Sequence, residues 1–273
     1  MNRSVEDGDF PAQELWAVAD ALADAARAPT LSRFRQQGLG IENKAGVAAF
    51  DPVTEADRES EQAMRAVLAE RRPQDGILGE EFGPVSGTSG LTWVLDPIDG
   101  TRAYMSGTPT WGVLISVNDV QGPRLGLIDQ PYIAERFSGG PGRARVDGPH
   151  GTAPLRTRAC ATLAEATIFT TFPELGSAEE QRGFQEVARQ CRLTRYGMDC
   201  YAYGLLAAGQ VDLVIEAGLQ SYDICAPIAV IEAAGGIVTD WQGGPAHGGG
   251  RALAAGSPEI HAAALEILRQ VPA

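Results

Sequence analysis

An apolar run that ends in two carboxylates, Trp93-Val94-Leu95-Asp96-Pro97-Ile98-Asp99-Gly100-Thr101, is the segment of this sequence best equipped for chemistry. Asp before Pro, with Gly after the second Asp, is also ordinary turn composition. Two further acidic points shift the balance. Gly79-Glu80-Glu81 ends the preceding apolar stretch, and Ser221-Tyr222-Asp223 stands immediately before a helical pattern that opens at Ile224. Carboxylates therefore recur at the ends of elements, and hard oxygen ligands of this kind suit Mg²⁺. Each has a local alternative. Asp223 could cap its helix, Asp57 could complete a capping box begun by Thr54, and Glu80 with Glu81 could be a solvated pair.

Other chemistries lack their residues. None of Cys160, Cys191, Cys200 and Cys225 is followed by five residues and Arg, as a cysteine phosphatase requires, and none forms a C-x-x-C pair. The spacing at Asp96 and Asp99 is D-x-x-D, not the D-x-D-x-T of an aspartyl-phosphate enzyme. His150, His247 and His261 read as ordinary surface histidines and cannot assemble a histidine-rich metal centre. No G-x-x-x-x-G-K-[ST] loop is present, which speaks against nucleotide hydrolysis of that type.

The elements that must position these residues follow from periodicity. Leu15, Val18, Ala19, Leu22 and Ala26 predict a first amphipathic helix ending before Pro29. Thr54 opens a second, with Ala56, Ser60, Ala63, Met64, Val67 and Leu68 on one face as far as Arg71 and Arg72. From Ile77 to about Phe137, short apolar runs such as Leu91–Leu95, Val113–Val117 and Leu125–Ile128 predict strands of an antiparallel sheet. Gly139–Pro154, rich in Gly and Pro, reads as an exposed loop between subdomains 1–140 and 155–273 of a single fold spanning 1–273. Beyond it strands and helices alternate: Thr167–Thr171, Ala178–Gln190, Cys200–Ala208, Val211–Ile215, Ile224–Ala234, Gly236–Thr239 and Pro258–Leu268. Such alternation implies sheets covered by helices.

A chain of 273 residues with 44% hydrophobic content can build a substantial core. Its net charge of −13 argues against nucleic-acid or membrane-surface partners, since both present negative charge. No apolar run approaches the roughly 20 residues that span a bilayer, and Met1–Phe10 lacks a signal pattern, so the expected place is the cytoplasm. An acidic chain that acts on an anionic phosphate needs cations between the two.

In the order of its motifs, the chain resembles the inositol monophosphatase family. Asp51-Pro52-Val53-Thr54-Glu55-Ala56-Asp57, Gly79-Glu80-Glu81, Asp96–Thr101, and Tyr222-Asp223 followed by Ala233-Ala234-Gly235-Gly236 carry the resemblance over most of the length. It implies an α/β fold layered α-β-α-β-α, and two or three Mg²⁺ ions held by Glu80, Asp96, Asp99, Asp223 and the carbonyl of Ile98. It further implies that Thr101 and Asp57 orient and deprotonate the attacking water near Glu80, and that the Gly100 and Thr101 amides bind phosphate. Hydrolysis of a small phosphate monoester would then be direct. A homodimer is expected. Lys44 could match a metal-loop lysine and is left out of the site.

Within the family, Thr101–Gly107, Asp129–Phe137 and Asp199-Cys200-Tyr201-Ala202-Tyr203 look like the histidinol-phosphate phosphatase branch of histidine biosynthesis. Glu216, seven residues before Asp223, and Asp199 would line the substrate pocket together with Asp99. Two carboxylates there suit a cationic amine and imidazole better than a neutral polyol. An inositol-1-monophosphatase or other sugar-phosphate phosphatase is the alternative, and a non-catalytic metal- or phosphate-binding regulator the reading from another class.

Overall fold

The computed structural model describes residues 10–36, 42–43, 52–174 and 176–272. Lys44 and Asp51 lie outside them. The first helix, α1 (Ala12–Arg33), leads through a small ribbon of β1 (Glu42–Asn43) and β2 (Pro52–Val53) into α2 (Glu55–Arg71). There follow β3 (Gly76–Gly79), β4 (Gly83–Val85), β5 (Thr92–Asp99), the short α3 (Thr101–Ser106), β6 (Gly112–Asp119), β7 (Gly122–Gln130), β8 (Glu135–Gly140), β9 (Arg143–Gly148) and β10 (Gly151–Pro154). Strands β3 to β10 form one sheet in the order β10-β9-β8-β7-β6-β5-β3-β4. The rest of the chain supplies β11 (Thr167–Thr170), α4 (Ala178–Ala188), β12 (Leu193–Tyr196), α5 (Tyr201–Ala207), β13 (Leu213–Leu219), α6 (Ser221–Ala233), β14 (Ile237–Thr239), β15 (Gly250–Ala255) and α7 (Pro258–Leu268). Its sheet runs β12-β11-β13-β15-β14.

The inner strands β5, β6, β11 and the first half of β13 read as continuous apolar runs because both of their faces are covered. In β6, Val113, Ile115 and Val117 pack with Leu15, Leu22, Met64 and Leu68 of α1 and α2, while Leu114 faces the core that holds α5 and α6. In β13, Val214 joins that same central core, and Leu213 and Ile215 face Phe184 of α4 and Leu268 of α7. The layers are therefore α1/α2, sheet, α5/α6, sheet and α4/α7, the α-β-α-β-α arrangement expected. Helix α6, buried from Ile224 to Ile231, sits between the sheets. Gly126 and Gly139 admit it closely: a Cβ on either would come within 2.3 Å of the backbone at Ala226 or Val230.

Four expectations need correction. Residues 139–154 are not a loop; they complete β8 and form β9 and β10, whose ladder hydrogen bonds come from neighbouring strands and leave no trace in local composition. Helix α1 does not stop before Pro29 but runs to Arg33. Its last turn is held from within, where the Thr30 hydroxyl donates to Ala26 O at 2.8 Å, and from outside, where Tyr104 Oη donates to Thr30 O at 2.7 Å. The first sheet is antiparallel except that β3 runs parallel to β5. His261 is not a surface residue; it is 9% exposed on α7 and its Nε2 lies 2.9 Å from Thr239 Oγ1. No helix among the described residues is long and apolar enough to cross a membrane.

Candidate active site

A regular strand sends residues three apart to opposite faces. Asp96 and Asp99 escape this because β5 carries a bulge: Asp96 pairs with Leu114 and Asp99 with Gly112, so three steps on β5 answer two on β6. Pro97, which has no N–H for a ladder, falls inside the irregularity, where its loss is tolerated. The bulge turns both aspartates toward Asp223, at the third position of α6. One carboxylate oxygen from each lies within 4.8 Å of the others. Next to them Gly100 adopts φ +83°, and a Cβ there would come within 2.7 Å of Asp199 Cγ, so only glycine fits on both counts.

The cluster opens into a cavity of about 400 Å³ whose walls include Glu80, Asp96, Asp99, Thr101, Asp199, Glu216 and Asp223. Burial, then the charges of Glu80, Asp99 and Asp223, hold the Asp96 carboxyl well above the usual range. Asp99 is raised in the same direction, first by the protein atoms crowding it and then by Asp223 and Asp199. Burial lifts Asp223 to about 6 despite the Gln220 amide that donates to its Oδ2 at 2.7 Å. Like charges gathered this tightly are relieved by a hard divalent cation, so the donor set fits one.

The local reading of Asp57 is also true, whereas Asp223 does not precede its helix: α6 opens at Ser221 rather than Ile224, and Asp223 caps it from the third position by accepting the Gln220 amide. Neither role competes with a site. Thr54 donates to Asp57 Oδ2 from its amide at 2.9 Å and its hydroxyl at 2.6 Å, closing the capping box, while Asp57 Oδ1 is buried without a partner. A carboxylate has an oxygen for each task. Asp57 is lifted to about 7, chiefly by burial and further by Glu80 and Glu81. It is 1% exposed and is not among the residues that line the cavity. Thr101 Oγ1 donates to Ile98 O at 3.2 Å, which leaves that carbonyl a second lone pair. Glu81 is not solvated: its side chain is 2% exposed.

Several residues that hold the site were missed in the sequence. Glu61, fully buried, accepts the Glu81 amide at 2.7 Å and the Phe82 amide at 3.3 Å while pairing with Arg65. Its signal was available, a carboxylate on the buried stripe of α2. Thr171 donates to Glu216 Oε1 from its amide at 2.7 Å and its hydroxyl at 2.9 Å. Burial nonetheless pushes Glu216 up to about 7. Thr110 Oγ1 donates to Asp199 Oδ2 at 2.8 Å, steadying a residue whose φ of +46° is uncommon for a side chain. Nothing local marks either threonine.

Stacked sheets with carboxylates gathered at a strand bulge beside an open cavity define an α/β protein whose acidic cluster could hold a metal ion. The chain belongs to the inositol monophosphatase family, whose model matches residues 12–273. It is 40% identical over 264 residues to the bifunctional phosphatase IMPL2, chloroplastic, of Arabidopsis thaliana, covering 92% of this chain and 74% of that protein. With the histidinol-phosphatase of Streptomyces coelicolor it shares 35% identity over 262 residues, 93% of this chain and 96% of the relative. A solved inositol monophosphatase from Zymomonas mobilis superposes with a TM-score of 0.83 at 39% identity, covering 95% of this chain and 99% of that one. The protein is thus a phosphoric monoester hydrolase of this family, similar both to histidinol-phosphatases and to inositol monophosphatases.

Proposed function

We propose that the enzyme hydrolyses histidinol phosphate to histidinol and inorganic phosphate, with two or three Mg²⁺ ions, as a cytoplasmic homodimer. One observation carries the substrate reading: Asp199 and Glu216, two carboxylates outside the three-aspartate cluster, line the same cavity. An ammonium or imidazolium group gains charge-assisted hydrogen bonds there that a neutral polyol does not.

Glu80, Asp96, Asp99, Asp223 and the Ile98 carbonyl would hold the ions. When bound, Mg²⁺ offsets the crowded negative charge, polarises the phosphoryl group and makes water more acidic. The amides of Gly100 and Thr101, where α3 begins, receive the phosphate. Thr101 and Asp57 orient water beside Glu80, and Asp57 accepts its proton. Asp199 and Glu216, with Asp99, hold the organic part.

Phosphate release with Mg²⁺ from histidinol phosphate, inositol 1-phosphate and a set of sugar phosphates tests the reading. The expected result is the highest kcat/KM with histidinol phosphate. The second reading, an inositol monophosphatase, is favoured by the likeness to the Zymomonas mobilis enzyme, and a higher kcat/KM with inositol 1-phosphate would establish it.

A further inference from the structure

Tyr203 lines the active-site cavity from α5 and is 3% exposed, yet its hydroxyl is buried with no hydrogen-bond partner. Six other described residues have such an orphan atom, among them Asp57, Trp111 and Asp129, and none of the six lines this cavity. An unpaired buried hydroxyl is destabilising, because it gives up its hydrogen bonds to water and gains none in return, and native structures rarely leave one without a reason. The ring itself is fixed, packed in the central core with Leu206, Val214 and Ile224.

The surroundings say what the hydroxyl can meet. Glu216, Asp99 and Asp223, whose charges bear on it, line the same cavity as Tyr203, and that cavity thus holds both the carboxylate assigned to the organic part and the aspartate cluster. Burial and those charges raise its pKa, so it stays a neutral phenol with one O–H and free lone pairs. An ammonium group has three N–H donors, and the carboxylates of Asp199 and Glu216 do not exhaust them.

We infer that the Tyr203 hydroxyl is a substrate contact that accepts a hydrogen bond from the substrate's ammonium group beside Glu216. The inference rests on the histidinol-phosphate reading and deepens it. Substrate then satisfies a polar atom that the free enzyme leaves orphaned, and the binding site is built at the expense of the fold.

Tyr203→Phe removes the hydroxyl alone and separates the two effects by sign. In the free enzyme the orphan disappears, so the melting temperature stays the same or rises. KM for histidinol phosphate rises about ten-fold, as for loss of one hydrogen bond to a charged group, with kcat within about two-fold. Calorimetric binding of histidinol to the Mg²⁺-loaded protein weakens by the same factor. Unchanged KM and histidinol affinity would overturn the inference, and so would a fall in melting temperature of several degrees, which would mean the hydroxyl is structurally paired. If the wild type does not hydrolyse histidinol phosphate but does hydrolyse another ester, the substrate reading fails, and with it the ammonium contact. Tyr203→Phe assayed on that ester then shows whether the hydroxyl contacts substrate at all.

Discussion

The backbone amide of Cys200 donates to Oδ2 of Asp99 at 2.7 Å, joining residues 101 positions apart. Asp99 ends a strand of the first sheet and Cys200 begins a helix of the second half, so this bond locks the two halves together at the acidic cluster. Thr110 and Asp199 repeat the link across 89 positions. The cavity is a product of that docking.

Asp96→Asn keeps the shape of the side chain and removes one of the crowded charges. Turnover with Mg²⁺ should fall by at least about a hundred-fold, the scale of losing a positioned electrostatic group. The metal-free protein should melt no lower than wild type, because burial and like charge already disfavour the ionised form of Asp96. Near-normal turnover would sink the proposed metal site.

The acidic site also sets a pH dependence. Asp57 and Glu216 are lifted to about 7 and Asp223 to about 6, from ordinary values of 3.8, 4.5 and 3.8. Between those ordinary values and the raised ones, the folded metal-free protein binds more protons than the unfolded chain. Their contribution to stability is therefore complete below about pH 4 and is lost as pH rises through 7. Melting in EDTA should show this decline, Glu216→Gln should flatten it, and Mg²⁺, which favours the ionised carboxylates, should counter it. A Glu216→Gln curve parallel to wild type would refute the assignment for that residue.

Thr110→Val keeps volume and removes the hydroxyl that holds Asp199. KM for histidinol phosphate should rise about five- to ten-fold, with Thr110→Ser restoring most of the loss. Adding Thr110→Val to Asp199→Asn should change little further, since both act on one contact. Full additivity in that double variant would show that Thr110 acts elsewhere.

Gly139→Ala drives a methyl group against the α6 backbone at Val230, which cannot move without shifting the layer. The expected cost is about 1–3 kcal/mol, read as a lowered melting temperature. Mg²⁺ affinity should weaken as well, because α6 carries Asp223. An unaltered melting curve would mean the packing is looser than the structure shows.

What could be read from residues alone was local. The capping box at Thr54 and Asp57 spans four residues. The strand runs of β5, β6 and β7 and the late alternation of strands and helices are short-range patterns, because periodicity and caps depend on neighbours in sequence. The acidic motifs at Glu80, Asp96, Asp99 and Asp223 could be read for the same reason. Tertiary structure decided the rest. D-x-x-D on a strand faces two ways until pairing with β6 introduces a bulge, and pairing is a property of two segments. The Gly- and Pro-rich residues 139–154 become strands because β8 offers them a ladder, a partner that composition cannot express. Thr110, Cys200 and Glu61 matter only through atoms brought to them by folding, and the orphan hydroxyl of Tyr203 exists only once α5 is buried between two sheets.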